Sequence, residues 1–167
     1  MLGGILSDTL ALTSPTTTDI DREAVDYLSL IARIDYQKFG MDMFKVGTSL
    51  KGKSIEEIVN TDLKIFNTEE YSFAVSQILT LDYEHILTNM DEYVKEIEKI
   101  EKNKDLNFVI LAVTDIIENG SYILYTDNAK KYLEAAFNIE NIKQGYYMEK
   151  AVSRKKQIVP YLMDILK

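Results

Sequence analysis

Asn107 to Asp115 read NFVILAVTD, a continuous apolar run that ends on a threonine and an aspartate. A strand with one wet face alternates apolar and polar side chains, whereas this run does not alternate. Such a run is typical of a strand that is covered on both faces. It therefore predicts a sheet with helices packed on both sides.

Downstream of this run, turn signals separate three further elements. The dipeptide Asn119-Gly120 is the strongest short hairpin signal in the chain. Gly145 interrupts the chain once more. The elements predicted between and after these signals are a strand at Ser121 to Tyr125, a helix from Asp127 to Phe137 and a strand at Tyr146 to Ala151.

Upstream of the run, the sequence predicts two strands and two helices. Ser54 opens a short helix with Glu57 three residues later, which is the spacing of a capping box. The other elements are strands at Thr61 to Phe66 and Tyr71 to Leu81, and one long amphipathic helix from Asp82 to about Lys102. From residue 54 the order is α-β-β-α-β-β-α-β-α, which predicts an α/β fold with a mixed sheet of about five strands and helices on both faces.

The first fifty residues or so predict an N-terminal helical segment. Helices are expected at about 19–33 and 35–46, because apolar residues recur there at helical spacing, and Gly47 to Lys53 is a predicted linker. The apolar faces of these helices need a covering surface, and exposed patches of that size usually have a partner. We therefore expect a homodimer, or a swapped arrangement, through residues 1–50.

Composition restricts the classes of function. The chain has 167 residues, a net charge of −8 and no cysteine. The acidic balance argues against general binding to nucleic acid or to anionic membranes. Disulfides and cysteine nucleophiles are excluded, which fits a reducing, cytoplasmic location. The apolar start, Met1 to Leu12, has no basic leader and contains Asp8, so it predicts neither a signal peptide nor a membrane span.

Three consecutive cations, Arg154 to Lys156, precede an apolar run from Ile158 to Leu162. Pro160 fits the first turn of a helix, which places the start of a closing helix near Gln157. Backbone N–H groups at a helix start, together with guanidinium and ammonium groups, form a receptor for phosphate. The alternative is a solvated, mobile basic loop, and taken alone the stretch favours the loop.

Three stretches resemble a known family. GILSDTL at Gly4 to Leu10, followed by Ser14-Pro15-Thr16, is similar to the end of the catalytic DHH domain of manganese-dependent (family II) inorganic pyrophosphatases. DLKIF at Asp62 to Phe66 and SRKKQIVP at Ser153 to Pro160 resemble the two signatures of the DHHA2 domain that follows it.

The resemblance covers the whole chain, with the three stretches in the family's order and at the expected separations. It implies that residues 1–50 are the tail of an incomplete DHH domain and that residues 51–167 are a DHHA2 domain. The histidine and aspartate motifs that build most of the family's metal site are absent from this sequence.

The resemblance also implies roles for four residues. Asp8 would be one carboxylate ligand of an otherwise missing manganese site, or else an aspartate that ends a strand and bonds nearby backbone N–H groups. Lys64 would contact a substrate phosphate from its strand, or else be an ordinary outward-facing lysine. Arg154 would bind phosphate oxygens bidentately, and Lys155 would add a point charge.

Three further residues have less specific expectations. Asp62 could pair with Lys64 or with another basic neighbour. Lys156 is expected to face solvent or to be structural. The only histidine, His85, matches no metal ligand of the family and is expected on the surface of the long helix.

The activity implied by the resemblance is hydrolysis of pyrophosphate to two phosphates, with Mn²⁺ as the cofactor of the complete enzyme. Because most of the family's metal ligands are absent, we expect the chain alone to be close to inactive and not to bind Mn²⁺ tightly. Two other functions stay open. One is a free-standing DHHA2 module that binds phosphate-type anions or docks onto a separate partner, and the other is part of a related DHH-family phosphoesterase acting on another phosphoanhydride.

Overall fold

The structure, a computed structural model, describes residues 1–167. The chain divides into two compact units, Met1–Ser49 and Leu50–Lys167. The division falls inside the predicted linker, Gly47 to Lys53. None of the helices combines the length and the apolar character that crossing a membrane requires.

The first unit consists of three helices: α1 (Leu2–Asp8), α2 (Asp19–Ala32) and α3 (Tyr36–Gly47). The two helices expected from apolar spacing are therefore confirmed as α2 and α3. Leu6, Val25 and Phe44, one from each helix, are buried. Each of the three helices therefore contributes a buried apolar side chain to this unit.

The alternative that Asp8 ends a strand is wrong, because Asp8 is the last residue of helix α1. Leu2, Ile5 and Leu6 recur at helical spacing, with Leu6 fully buried and the other two half-buried. This spacing is compatible with a helix and not with the period of two that a strand needs.

The second unit contains a five-stranded sheet in the order β1-β2-β3-β4-β5. The strands are β1 (Leu63–Asn67), β2 (Ser72–Thr80), β3 (Phe108–Asp115), β4 (Gly120–Tyr125) and β5 (Tyr146–Glu149). Strands β2 and β3 are parallel, and the other neighbouring pairs are antiparallel. The sheet is therefore mixed, as the sequence predicts.

Five α-helices accompany the sheet. They are α4 (Ile55–Asn60), α5 (Tyr83–Thr88), α6 (Met90–Asn103), α7 (Lys130–Phe137) and α8 (Val159–Ile165). A capping box begins α4, since the Ser54 hydroxyl accepts the Glu57 N–H and the Glu57 carboxylate accepts the Ser54 N–H. The predicted capping box is thus confirmed.

Every residue of β3 is buried. One core cluster joins Phe108 and Ile110 to α7 and α8, and a second joins Val109 and Leu111 to α4, α5 and α6. Alternate side chains of one strand thus enter cores on opposite faces of the sheet. The prediction of helices on both faces is confirmed.

The predicted long helix from Asp82 to Lys102 is wrong in one respect, because it is two helices, α5 and α6. The break lies at Asn89, whose side-chain Nδ2 and backbone N–H both donate to the His85 carbonyl. An asparagine side chain that takes a backbone carbonyl competes with the helical ladder. His85 itself is exposed, as expected.

The last strand is shorter than predicted and ends at Glu149. Lys150, the next residue, has a φ of 59°, which lies in the left-handed region and turns the chain away from β4. The segment that follows carries the cations of the sequence motif.

Candidate anion-binding site

The cations at Arg154 to Lys156 lie in a π-helical turn, Arg154–Ile158, that leads into α8. Helix α8 begins at Val159, two residues after the predicted start, and Pro160 lies in its first turn. Proline has no N–H to donate in a regular ladder, so the irregular turn is at the position where the ladder is interrupted.

Gln157 holds this turn in shape. Its Oε1 atom accepts the backbone N–H groups of Val152 at 2.9 Å and Ser153 at 2.8 Å, and its Nε2 donates to the Lys150 carbonyl. One amide side chain thus satisfies backbone groups on both sides of the bend that precedes the cations.

A row of polar side chains on three neighbouring strands fastens the same segment to the sheet. Gln77 on β2 donates to the Thr114 hydroxyl on β3 at 2.9 Å and to the Val152 carbonyl at 3.0 Å. The Gln77 Oε1 atom accepts the Arg154 backbone N–H at 3.3 Å. The Thr114 and Ser121 hydroxyls are 2.8 Å apart, and Ser121 donates to the Ala151 carbonyl.

The side chain of Arg154 points inward and is only 4% exposed. Its Nη1 donates to the backbone carbonyls of Asp62 at 2.5 Å and Val75 at 3.0 Å. Its Nη2 donates to both carboxylate oxygens of Asp62 at 3.0 Å. The guanidinium is therefore bound to the start of β1 and to its neighbour β2, and its Nε has no partner.

Lys64, on the edge strand β1, forms an ion pair with the same carboxylate. Its Nζ lies 3.9 Å from Asp62 Oδ1, the oxygen that also accepts from Arg154 Nη2 at 3.0 Å. The prediction that Asp62 pairs with Lys64 or a basic neighbour is confirmed for both. Lys64 and Asp62 are each about half exposed, so the convergence of the two cations lies at the surface.

Lys155 and Lys156 follow Arg154 in the turn, and both are exposed. Lys64 and Arg154 are the two cations that contact Asp62, so this cluster carries one more positive than negative charge. In a chain of net charge −8, such a local excess of positive charge is favourable for an anion.

Sequence reasoning missed the supporting residues Gln77, Thr114, Ser121 and Gln157. A signal for three of them was present, because they interrupt otherwise apolar strands with polar side chains. The backbone groups that Gln77 and Ser121 bond lie 30 or more residues away along the chain, so no local pattern identifies their role.

The first unit offers much less. Asp8 is exposed, and its backbone carbonyl accepts from the Thr16 hydroxyl at 3.4 Å. No group of three or more histidine, cysteine, aspartate or glutamate side chains in the chain is placed to hold a metal ion. A manganese pair needs several carboxylate or imidazole ligands, so the residues of this chain do not fit a complete manganese site.

Comparison with known proteins bears on both units. The family model described as the DHHA2 domain matches residues 41–165, which include Asp62, Lys64, Arg154 and Lys155. A protein of Clostridium acetobutylicum named "probable manganese-dependent inorganic pyrophosphatase" is 42% identical over 99% of this chain and 54% of its own length. A protein of the same name from Lactobacillus acidophilus is 39% identical over 98% of this chain and 53% of its own length.

A solved structure is similar as well. It is the crystal structure of a Methanococcus jannaschii protein named "putative family II inorganic pyrophosphatase", and it matches with a TM-score of 0.86 and 34% identity. The match covers 98% of this chain and 53% of that chain. The chain thus spans about half the length of the curated relatives it matches.

Proposed function

The chain belongs to the DHHA2 domain family, and we propose that it serves as the C-terminal, substrate-binding portion of a manganese-dependent inorganic pyrophosphatase. Such an enzyme converts pyrophosphate and water into two phosphates. In this proposal Lys64, Arg154 and Lys155 bind the substrate phosphate and offset its negative charge.

The observation that carries the proposal is the convergence of Lys64 and Arg154 on one carboxylate oxygen of Asp62. The two residues belong to distant stretches of sequence, yet both reach the same anionic oxygen. A carboxylate oxygen resembles a phosphate oxygen as an acceptor for ammonium and guanidinium groups. This arrangement supports a site that receives a small oxyanion.

The proposal assigns a distinct task to each cation. Lys64 and Lys155 are exposed and supply point charges that an arriving phosphate can meet directly. Arg154 supplies a guanidinium whose orientation is set by two backbone carbonyls on Nη1. Such a preset donor loses little conformational freedom when it binds an oxyanion.

Mn²⁺ has a limited place in this proposal. Relatives are named as manganese-dependent, and the chain's own residues do not assemble a site for that ion. In the complete enzyme, Asp8 would contribute one carboxylate ligand beside ligands that this chain does not contain. The chain alone is accordingly expected to be close to inactive, and sustained hydrolysis of pyrophosphate by it in the presence of Mn²⁺ would contradict this.

The test is calorimetric titration of the chain with pyrophosphate. Lys64→Ala and Lys155→Ala are each expected to weaken binding roughly tenfold, because each removes a charge-assisted contact from an exposed position. The matched control is Lys95→Ala, which removes the same charge from the exposed surface of α6. Equal affinities for all three variants and the unaltered chain would overturn the assignment of the site.

Two alternative functions use the same site. A free-standing DHHA2 module would bind phosphate-type anions without being part of a hydrolase, and a related phosphoesterase would act on polyphosphate or another phosphoanhydride. Binding of pyrophosphate alone does not separate them from the first proposal. A substrate screen on a protein that carries both this chain and a complete metal-binding domain separates all three.

We further propose that the chain forms a homodimer through residues 1–50 and acts in the cytoplasm. The first point is supported by large apolar side chains on α2 and α3 that are mostly exposed, among them Ile20, Leu30 and Val46 at 77%, 79% and 81%. Light scattering on the full chain tests it, and a monodisperse monomer with these helices ordered would contradict it. The absence of cysteine supports the second point.

A further inference from the structure

We propose that Asp62 is a built-in competitor of the phosphate, whose carboxylate occupies Arg154 and is displaced when the anion binds. This inference rests on the proposed anion site and concerns its regulation. The terminal nitrogens of Arg154 already donate hydrogen bonds within the protein. Nη1 donates to two backbone carbonyls, and Nη2 donates to both carboxylate oxygens of Asp62.

The acceptors bound to Nη1 and Nη2 differ in whether they can move away from the guanidinium. Nη1 is bound by the carbonyls of Asp62 and Val75, which belong to the backbone around β1 and β2. Nη2 is bound by a side-chain carboxylate that is about half exposed. Rotation of the Asp62 side chain would free Nη2 while Nη1 keeps the guanidinium in place.

The remaining donor of the guanidinium points to an oxyanion as the replacement. Arg154 Nε is buried and has no hydrogen-bond partner, which is costly for a charged group. The Nε hydrogen and one Nη2 hydrogen lie on the same edge of the planar guanidinium. A phosphate on that edge would satisfy both, whereas the Asp62 carboxylate satisfies only Nη2.

Lys64 also favours replacement of the Asp62 carboxylate by a phosphate group. Its Nζ is 3.9 Å from Asp62 Oδ1, which is a long contact for an ion pair. A phosphate or pyrophosphate group carries more negative charge and more acceptor oxygens than a carboxylate, so it would draw Lys64 and Arg154 more strongly. Without the anion, Asp62 keeps the buried guanidinium neutralised.

The experiment compares inorganic pyrophosphate binding by the full chain, Asp62→Asn and Glu149→Gln in calorimetry at fixed salt. Asparagine keeps the shape of Asp62 and one acceptor for Nη2, but it removes the competing charge. We expect Asp62→Asn to bind roughly tenfold more tightly. Glu149→Gln removes an equal charge from an exposed residue that does not contact Arg154, and it is expected to change the affinity less than twofold.

The outcomes separate this inference from the proposal on which it rests. Unchanged or weaker binding by Asp62→Asn, or equal tightening by both variants, overturns the competitor role and leaves the anion site standing. Absence of binding by every protein overturns the site and the competitor role together. Binding that becomes detectable only in Asp62→Asn supports both.

A second measurement avoids any substitution. In the unaltered chain, the carboxylate carbon of Asp62 is followed by ¹³C NMR during the same titration. Its chemical shift is expected to change with pyrophosphate concentration, because the carboxylate moves away from Nη2. The change should fit a binding curve with the Kd measured by calorimetry. Binding by calorimetry with a stationary Asp62 resonance would overturn the inference even if Asp62→Asn failed to fold.

Discussion

Arg154 shows how one residue can serve both the fold and the site. Its guanidinium is buried, pairs with Asp62, and bonds carbonyls near β1 and β2. The two residues that it bonds, Val75 on β2 and Asp62 just before β1, lie 79 and 92 residues away along the chain. Arg154 therefore attaches the segment after β5 to the sheet, and the same hydrogen bonds fix the orientation of its guanidinium.

Removal of this side chain is expected to destabilise the second unit. Arg154→Ala removes one donor from the Val75 carbonyl and breaks the ion pair with Asp62, for a cost of about 2–3 kcal/mol in free energy of unfolding. Urea denaturation followed by circular dichroism measures it. Lys155→Ala, which alters the exposed neighbour, is the control and is expected to change stability by less than about 0.5 kcal/mol.

Tyr122 predicts a dependence of stability on alkaline pH. Burial, together with a hydrogen bond to Tyr83, raises the pKa of the Tyr122 phenol to about 12. Between the ordinary tyrosine pKa of about 10 and this value, the unfolded chain has lost the proton and the folded chain has kept it. Stability should therefore fall as the pH rises through this interval.

The test of this pH effect compares the unaltered chain with Tyr122→Phe in urea unfolding from pH 9 to pH 12. Phenylalanine keeps the ring that stacks on Tyr83 and packs at a tilt against Tyr147, but it cannot ionise. The difference in unfolding free energy between the two proteins is expected to be constant near pH 9 and to shift in favour of Tyr122→Phe above pH 10. A difference that stays constant to pH 12 would contradict the raised pKa.

At the scale of the elements, the hairpin between β3 and β4 depends on a small residue at its second strand's start. A Cβ added at Gly120 would clash with the Tyr147 hydroxyl and lie 2.9 Å from the Met148 carbonyl on β5. The backbone of β5 cannot withdraw without breaking its pairing with β4. Asn119 before it has a φ of 58°, which asparagine tolerates better than most residues.

Gly120→Ala is accordingly expected to lower the free energy of unfolding by about 1–3 kcal/mol, the usual cost of overpacking. Gly47→Ala is the matched control, since a Cβ there has nothing within 4 Å and alanine favours a helix. Thermal unfolding of both variants provides the measurement. Equal melting temperatures for both variants would show that β5 yields to the added methyl group.

The π-helical turn at Arg154–Ile158 shows which part of an element can be predicted from sequence and which part cannot. Pro160 correctly indicated a helix start nearby, because its ring excludes it from a helix interior. The pattern contains no signal for the irregular turn before α8. That turn is held locally by Gln157, which accepts the Val152 N–H, and by Gln77 on β2, whose bond to the Arg154 N–H spans 77 residues and depends on the tertiary structure.

At the scale of the whole molecule, the division at Ser49 and Leu50 predicts independent folding of the second unit. Residues 50–167 contain the complete sheet, both core clusters and all residues of the proposed anion site. The isolated unit is expected to unfold cooperatively and to bind pyrophosphate with an affinity within about threefold of that of the full chain.

Circular dichroism with urea and calorimetry on residues 50–167 test this expectation. Light scattering on the same sample adds a second readout, because the proposed homodimer through residues 1–50 would be lost from it. A unit that is unfolded, or that binds no pyrophosphate when the full chain does, would show that the second unit depends on the first.

The order and type of most elements follow from local patterns in the chain. An apolar run in β3, the Asn119-Gly120 dipeptide and the capping box of α4 act over a few residues, so the sequence alone was enough to read them. The cationic character of the closing segment follows from composition in the same way. The break at Asn89 was missed, because its side chain can equally face solvent in an unbroken helix.

Contacts between distant residues could not be read in this way. Which carboxylate Arg154 meets depends on the register of β1 against β2 and on the path of the chain after β5, and neither is encoded in a short window. Folding places Asp62, Lys64 and Arg154 together across 92 residues of sequence, and it turns three separately ordinary charged residues into one site. The sequence specified the charges, and the packing of the sheet and its closing turn specified their partners, because ion pairs form by proximity in space and not by proximity along the chain.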